Sequence, residues 1–151
     1  MMPLTRLTVE LVPRTCWFKN VRSQVSRDEW NRLRRETLER AGHRCEVCGA
    51  GARLECHEVW EYDDERHVQR LSGLTALCSR CHEVKHIGLA GVRGRGERAM
   101  RHLARVNGWS AQDAELYVES VFETWHRRSR HDWALDIGWL DRHGIATSRR
   151  G

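Results

Sequence analysis

"ALCSRCHEVKH", residues 76–86, places Cys78, Cys81, His82 and His86 within nine positions. Each of these side chains can bind a transition metal. The stretch therefore decides whether the chain folds around metal, and how many sites it serves. Cys78-x-x-Cys81 has a counterpart upstream, Cys45-x-x-Cys48 in "HRCEVCG" (43–49). Each pair can deliver two sulfurs to one ion through a tight knuckle turn, and Gly49 stands where such a turn wants a glycine. Together the four thiolates predict a closed, tetrahedral structural zinc site. The intervening 29 residues exceed the common zinc-finger gap, so they should form a substructure of their own. Cys78-Ser-Arg-Cys81-His82 also matches the haem-attachment pattern C-x-x-C-H. That reading leaves Cys45 and Cys48 without a use and calls for an exported chain. Cys16 and Cys56 have no partner at metal spacing and read as packing thiols.

The histidines point to a second centre. His82 and His86 stand four apart, so a helix over "CHEVKH" projects both imidazoles from one face. His57 lies in "LECHEVWEY" (54–62), whose Val, Trp and Tyr predict a strand, with Glu58 beside it. A strand histidine and two helix histidines can converge on one divalent cation. A histidine near its ordinary pKa could also take a proton from an attacking water at neutral pH.

Around this centre, "SRDEWNRLRRETLERAG" (26–42) predicts a helix. Ser26 and Glu29 make a capping box, and Trp30, Leu33, Thr37, Leu38 and Ala41 share a face. Arg32, Arg34, Arg35 and Arg40 lie mostly off that face. Residues 4–12, ending in "LTVELV", alternate loosely and predict a short strand before Pro13. "YDDERHVQRLSG" (62–73) reads as a polar loop. "GLAGVRGRG" (88–96) reads as a flexible connector whose Arg93 and Arg95 can reach phosphates. Helices are expected over 97–108 and 110–130, the second capped by Ser110. "WALDIGWL" (133–140) reads as a last strand or an irregular segment.

The whole chain has 151 residues, within the size of one domain spanning 1–151. Its net charge of +5 and its pI near 9.1 suit a polyanionic partner. No run is apolar enough for a membrane helix, and the N-terminus has no long apolar segment of the signal-peptide kind. A soluble, cytoplasmic protein with no membrane partner is the expectation.

The order C-x-x-C, a strand histidine, then L-C-x-x-C-H and a further histidine resembles the HNH endonuclease family, the zinc-containing branch of the ββα-metal nucleases. The resemblance runs over about residues 43–88. It implies an α+β fold: a small ββα-metal centre with a structural zinc, flanked by an N-terminal helix and a helical C-terminal extension over 97–140. Cys45, Cys48, Cys78 and Cys81 take the zinc positions. His82 and His86 fall on the helix that binds the catalytic cation, Mg²⁺, Mn²⁺ or another divalent ion. His57 matches the strand histidine.

Two positions depart from the family pattern. Many members carry a ligand followed by the histidine base; here the triplet is Cys56-His57-Glu58. Either His57 is the base, with Cys56 in the ligand position and Glu58 a ligand or orienter, or His57 is the ligand and Glu58 stands at the base position. The first is favoured here. The family asparagine position is Gly73, and Ser72 or the acidic loop Asp63-Asp64-Glu65 is the alternative brace. The implied activity is hydrolysis of phosphodiester bonds in DNA, with Arg32, Arg35, Arg93 and Arg95 on backbone phosphates. A zinc-stabilised nucleic-acid-binding module without catalysis is the alternative.

Overall fold

A computed structural model describes residues 5–16, 20–51 and 53–145. Helix α1, Arg27–Arg40, begins at the expected capping box: the Ser26 hydroxyl accepts from Glu29 N–H, and the Glu29 carboxylate accepts from Ser26 N–H. Strands β1 (Leu54–Asp63) and β2 (Val68–Cys78) form an antiparallel hairpin. The expected polar loop over 62–73 is corrected here, because only its middle turns. Asp63 accepts from Glu65 N–H and Arg66 N–H, and His67 takes a left-handed φ of 54°. Strand pairing then resumes at Val68. The polar residues that suggested a loop alternate along β2, where Gln69 and Leu71 are buried and Arg70 and Ser72 are exposed.

Strand β2 runs without a linker into α2, Ser79–Lys85. The expected connector over 88–96 is also corrected. Ile87–Val92 forms helix α3, and α4 starts at Gly96. Glycine there serves packing rather than flexibility, since a Cβ on Gly96 would come within 3.3 Å of the Gly91 Cα. Helix α4 (Gly96–Asn107) ends at Gly108 in a left-handed cap, and α5 (Ala111–Arg128) starts from the Ser110 cap. Strand β3 (Ala134–Asp136) pairs parallel to the start of β2, and α6 (Gly138–Arg142) follows.

No strand forms between residues 5 and 12, against the sequence expectation; residue 4 lies outside the described residues. The backbone there is satisfied by other groups. Leu7 N–H donates to Asn107 Oδ1 (2.9 Å), Val9 N–H to the Tyr117 hydroxyl (3.0 Å) and Glu10 N–H to the Lys85 carbonyl (3.3 Å). Leu7 and Val9 enter a core with Leu54, Leu77, Val84 and Leu103. A second core joins Val21, Leu33, Leu71, Leu74 and Leu140. The N-terminal segment thus lies across α2, α4 and α5 and carries Glu10 to the centre of the fold. No helix among the described residues is long and apolar enough to cross a membrane.

Candidate metal centre

The four cysteines meet. The sulfurs of Cys45, Cys48, Cys78 and Cys81 all lie within 4.8 Å of one another. Both knuckles form in the same way. Cys48 N–H donates to Cys45 Sγ at 3.4 Å, and Cys81 N–H donates to Cys78 Sγ at 3.5 Å. Gly49, at φ 80°, makes the first turn. The hairpin fills the interval between the pairs, bringing Leu54 opposite Cys78 and so closing the two knuckles on each other.

The electrostatics of this donor set fit a divalent cation. Burial pushes the Cys45 thiol up, but backbone N–H groups, led by that of Cys48, outweigh it and bring the pKa down to about 7. Cys81 is pushed far up by burial and by the neighbouring sulfurs. Four crowded, partly buried sulfurs repel one another once ionised, and a bound cation removes that cost. Zinc suits four thiolates.

A residue that the sequence reading passed over supports the cluster. His102 on α4 places Nε2 3.2 Å from Cys81 Sγ, while its Nδ1 is 2.9 Å from the Arg105 guanidinium. Arg105 can only donate, so Nδ1 accepts and Nε2–H points at the sulfur. His102 therefore stabilises a thiolate from outside the ligand set. Cys81 and His102 sit on different helices, α2 and α4, so no local spacing in the sequence pointed to this contact.

The second group is also brought together. His57, His82 and His86 each place a ring nitrogen within 4.8 Å of the others. The His57 ring centroid lies 5.2 Å from that of His82 and 5.4 Å from that of His86. His82 Nε2 faces His86 Nε2 at 3.3 Å, and His82 Nδ1 contacts the Glu55 carboxylate on the other side of the ring. A carboxylate behind the histidine, with the free nitrogen turned toward a second imidazole, is the arrangement that orients metal-binding histidines. His57 Nε2 is buried without a hydrogen bond, and the nearest carboxylate oxygen, Glu10 Oε2, is 3.5 Å away. An orphaned buried imidazole nitrogen beside two others is a donor set that fits a cation. Although His86 is exposed as a residue, its ring packs among the others. Burial, then the neighbouring His82 and His57, lower its pKa to about 4.

Strand alternation divides the Cys56-His57-Glu58 triplet. Glu55 and His57 turn toward α2, while Cys56 and Glu58 turn toward α1. The Glu58 carboxylate accepts from Val21 N–H, and burial pushes its pKa up. It is outside the histidine trio, yet it lines the same cavity as His57. The carboxylates beside the trio are Glu10 and Glu55.

Gly73 pairs with Val59 at a bulge, where the Ser72 hydroxyl donates to the Val59 carbonyl at 3.1 Å. Ser72 thus holds the strand two residues beyond His57 rather than the imidazole itself. The acidic turn is engaged elsewhere, with Asp64 pairing to Arg128 through two hydrogen bonds of 2.8 and 2.9 Å.

The arginines separate in the same way. Arg93 and Arg95 line a cleft of about 430 Å³ together with His82 and His86. Arg32 instead donates to the His143 carbonyl, and Arg35 is exposed on α1 without a contact to the trio. Arg34 and Arg40 reach the carbonyls of Leu54 and Leu74, so two of the five arginines of α1 staple the helix to the hairpin. No known protein family, curated protein or solved structure matches this chain.

Proposed function

We propose that the chain is a metal-dependent endonuclease that hydrolyses phosphodiester bonds in DNA. The observation that carries this reading is the convergence of His57, His82 and His86 beside, but separate from, the four-cysteine cluster. One group suits a structural zinc. The other leaves imidazoles facing open clefts on two sides.

In this reading His82, His86 and His57 would hold a divalent ion, and three imidazoles suit a borderline transition-metal ion better than Mg²⁺, with Glu55 orienting His82. When bound there, such an ion would supply Lewis-acid stabilisation of charge on the phosphate and on the leaving 3′ oxygen. The contacts of His57 with both helix histidines support a ligand role, in place of the base role favoured from sequence. Glu58 lies outside the trio but lines the cavity that His57, His82 and His86 share, and burial raises its proton affinity, so it would take the proton from an attacking water held in that cavity. As the water oxygen bonds to phosphorus, the bond to the 3′ oxygen breaks. Arg93 and Arg95 hold flanking phosphates.

Plasmid nicking with added Mg²⁺ or Mn²⁺ tests the proposal. Nicked circles that disappear in His82→Ala are expected. No nicking with any divalent cation, or undiminished nicking by His57→Ala, retires it. The second reading, a zinc-stabilised DNA-binding module without catalysis, draws on Gly73 at the family asparagine position. It predicts salt-dependent binding and a single metal per chain.

A further inference from the structure

The trio stands between two unlike recesses, and His82 and His86 line both. One is the arginine cleft. Besides Arg93 and Arg95 it is lined by Arg80 and Arg98. Glu83 is the acidic residue that balances it, held to Arg98 at 3.1 and 2.6 Å and to Arg95 at 3.6 Å. Glu55, the other carboxylate there, is engaged with His82. Arg80 and Arg93 have no ion pair among the described residues, so the cleft keeps a positive excess suited to phosphates.

The other recess, about 260 Å³, is walled by Trp30, Trp60 and Tyr62. All three are only half-buried. Its volume falls below the ~300–1,000 Å³ of pockets that enclose drug-sized ligands, so it suits one small ring system. The Tyr62 ring already carries the Arg128 guanidinium over one face at 4.6 Å and meets Trp133 at 5.5 Å, so the indoles of Trp30 and Trp60 are the walls on which a base would stack. Asn20, Arg22 and Glu58 add polar groups at its edge.

We propose that the DNA acted on here presents an unpaired nucleotide, with its base in the Trp30–Trp60–Tyr62 recess and neighbouring phosphates in the arginine cleft. This rests on the nuclease reading above. A phosphate at the trio has the cleft on one side and the recess on the other, so one nucleotide can bridge them. A base inside a duplex has both faces stacked and its edge paired, and cannot enter without leaving the helix. The preferred substrate is therefore single-stranded DNA, or a duplex with a gap or flap.

The test uses the zinc-loaded full chain with one labelled 20-nucleotide sequence in three forms: single strand, perfect duplex and gapped duplex. Binding is read by anisotropy and tryptophan quenching without a second cation, and cleavage is read with Mn²⁺. The single strand should bind about tenfold more tightly than the duplex, quench tryptophan and be cut first. Trp60→Leu should remove that preference. Arg80→Ala with Arg93→Ala should weaken both forms alike, which separates stacking from phosphate binding. Equal binding and cutting of single strand and duplex would overturn the base recess while leaving a nuclease. So would a folded Trp60→Leu protein that keeps its preference. Preferential single-strand binding with no cleavage of any form would support the recess and sink the nuclease reading.

Discussion

The Lys85 ammonium lies 2.6 Å from Glu10 Oε2, and both side chains are largely shielded from solvent. The same ammonium donates to the Thr8 hydroxyl at 2.6 Å. A lysine on α2 thus fastens the N-terminal segment and aims its carboxylate at His57. Burial raises the Glu10 pKa, but the contacts with His57 and Lys85 outweigh it and hold the group below its ordinary value. Lys85→Met leaves a partly buried carboxylate uncompensated and should cost about 3 kcal/mol. Glu10→Gln added to Lys85→Met should recover part of that loss. Urea unfolding of the zinc-loaded single and double variants measures both; an additive double variant would show that the pair does not couple.

The division of roles between His57 and Glu58 has its own experiment. If His57 is a ligand, His57→Ala loses the second cation, measured by calorimetric titration with Mn²⁺. Glu58→Gln should keep that cation and lose about 10²–10⁴-fold in cleavage rate. The reverse outcome, cation binding intact in His57→Ala and cleavage intact in Glu58→Gln, would restore His57 as the base.

The four-sulfur site should hold one zinc per chain, with Zn–S distances of about 2.3 Å by X-ray absorption. Cys45→Ser or Cys81→Ser should lose the ion and lower the unfolding midpoint, leaving the Glu46 N–H to Ala76 carbonyl bond (2.9 Å) and the Glu46 carboxylate on Ala76 N–H (2.8 Å) to tie the first knuckle to β2. His102→Phe should retain the zinc but bind it more weakly, roughly 10–100-fold, since it removes a hydrogen bond to one thiolate. Competition with a chromogenic chelator reads the difference. An unchanged affinity would limit His102 to packing.

His86 gives a pH signature in the protein without the second cation. Its folded pKa of about 4 lies below the ordinary 6.5. The unfolded chain therefore takes up the proton first. Stability from this group is fully present above the ordinary value and is lost as pH falls from about 6.5 toward 4. NMR titration of the His86 ring should show a midpoint far below that of a free imidazole. A midpoint at the ordinary value would mean that the ring is neither crowded nor desolvated.

The two donor clusters were legible in the sequence because knuckle spacing and an i, i+4 pair encode local geometry. Both knuckles close as their spacing predicted and His82 stands on α2, but His86 is the non-helical cap of that helix rather than part of it, and still meets His82 and His57. The helix caps at Ser26 and Ser110 were legible for the same reason. Long-range partners were not. Glu10 is 47 positions from His57 and His102 is 21 from Cys81, and no local pattern joins either pair. The loop expected over 62–73 failed because an amphipathic strand with a polar face resembles a turn in composition. The connector over 88–96 failed because its glycines permit two helices to approach.

Asn107 shows how a distant side chain can set the site. Its Oδ1 accepts from Arg6 N–H (2.7 Å) and Leu7 N–H (2.9 Å), and its Nδ2 donates to the Leu7 and Leu103 carbonyls. It thereby replaces the strand neighbour that the N-terminal segment lacks. Asn107→Leu keeps similar bulk but leaves buried backbone groups at Leu7 unpaired, at a cost of about 2–4 kcal/mol. Three residues on, Glu10 then loses its tether from one side, so the second cation should also bind more weakly. Denaturant midpoints and Mn²⁺ titration on the same variant separate the two effects. A destabilised protein with unchanged Mn²⁺ affinity would show that Lys85 alone is enough to hold Glu10 against His57.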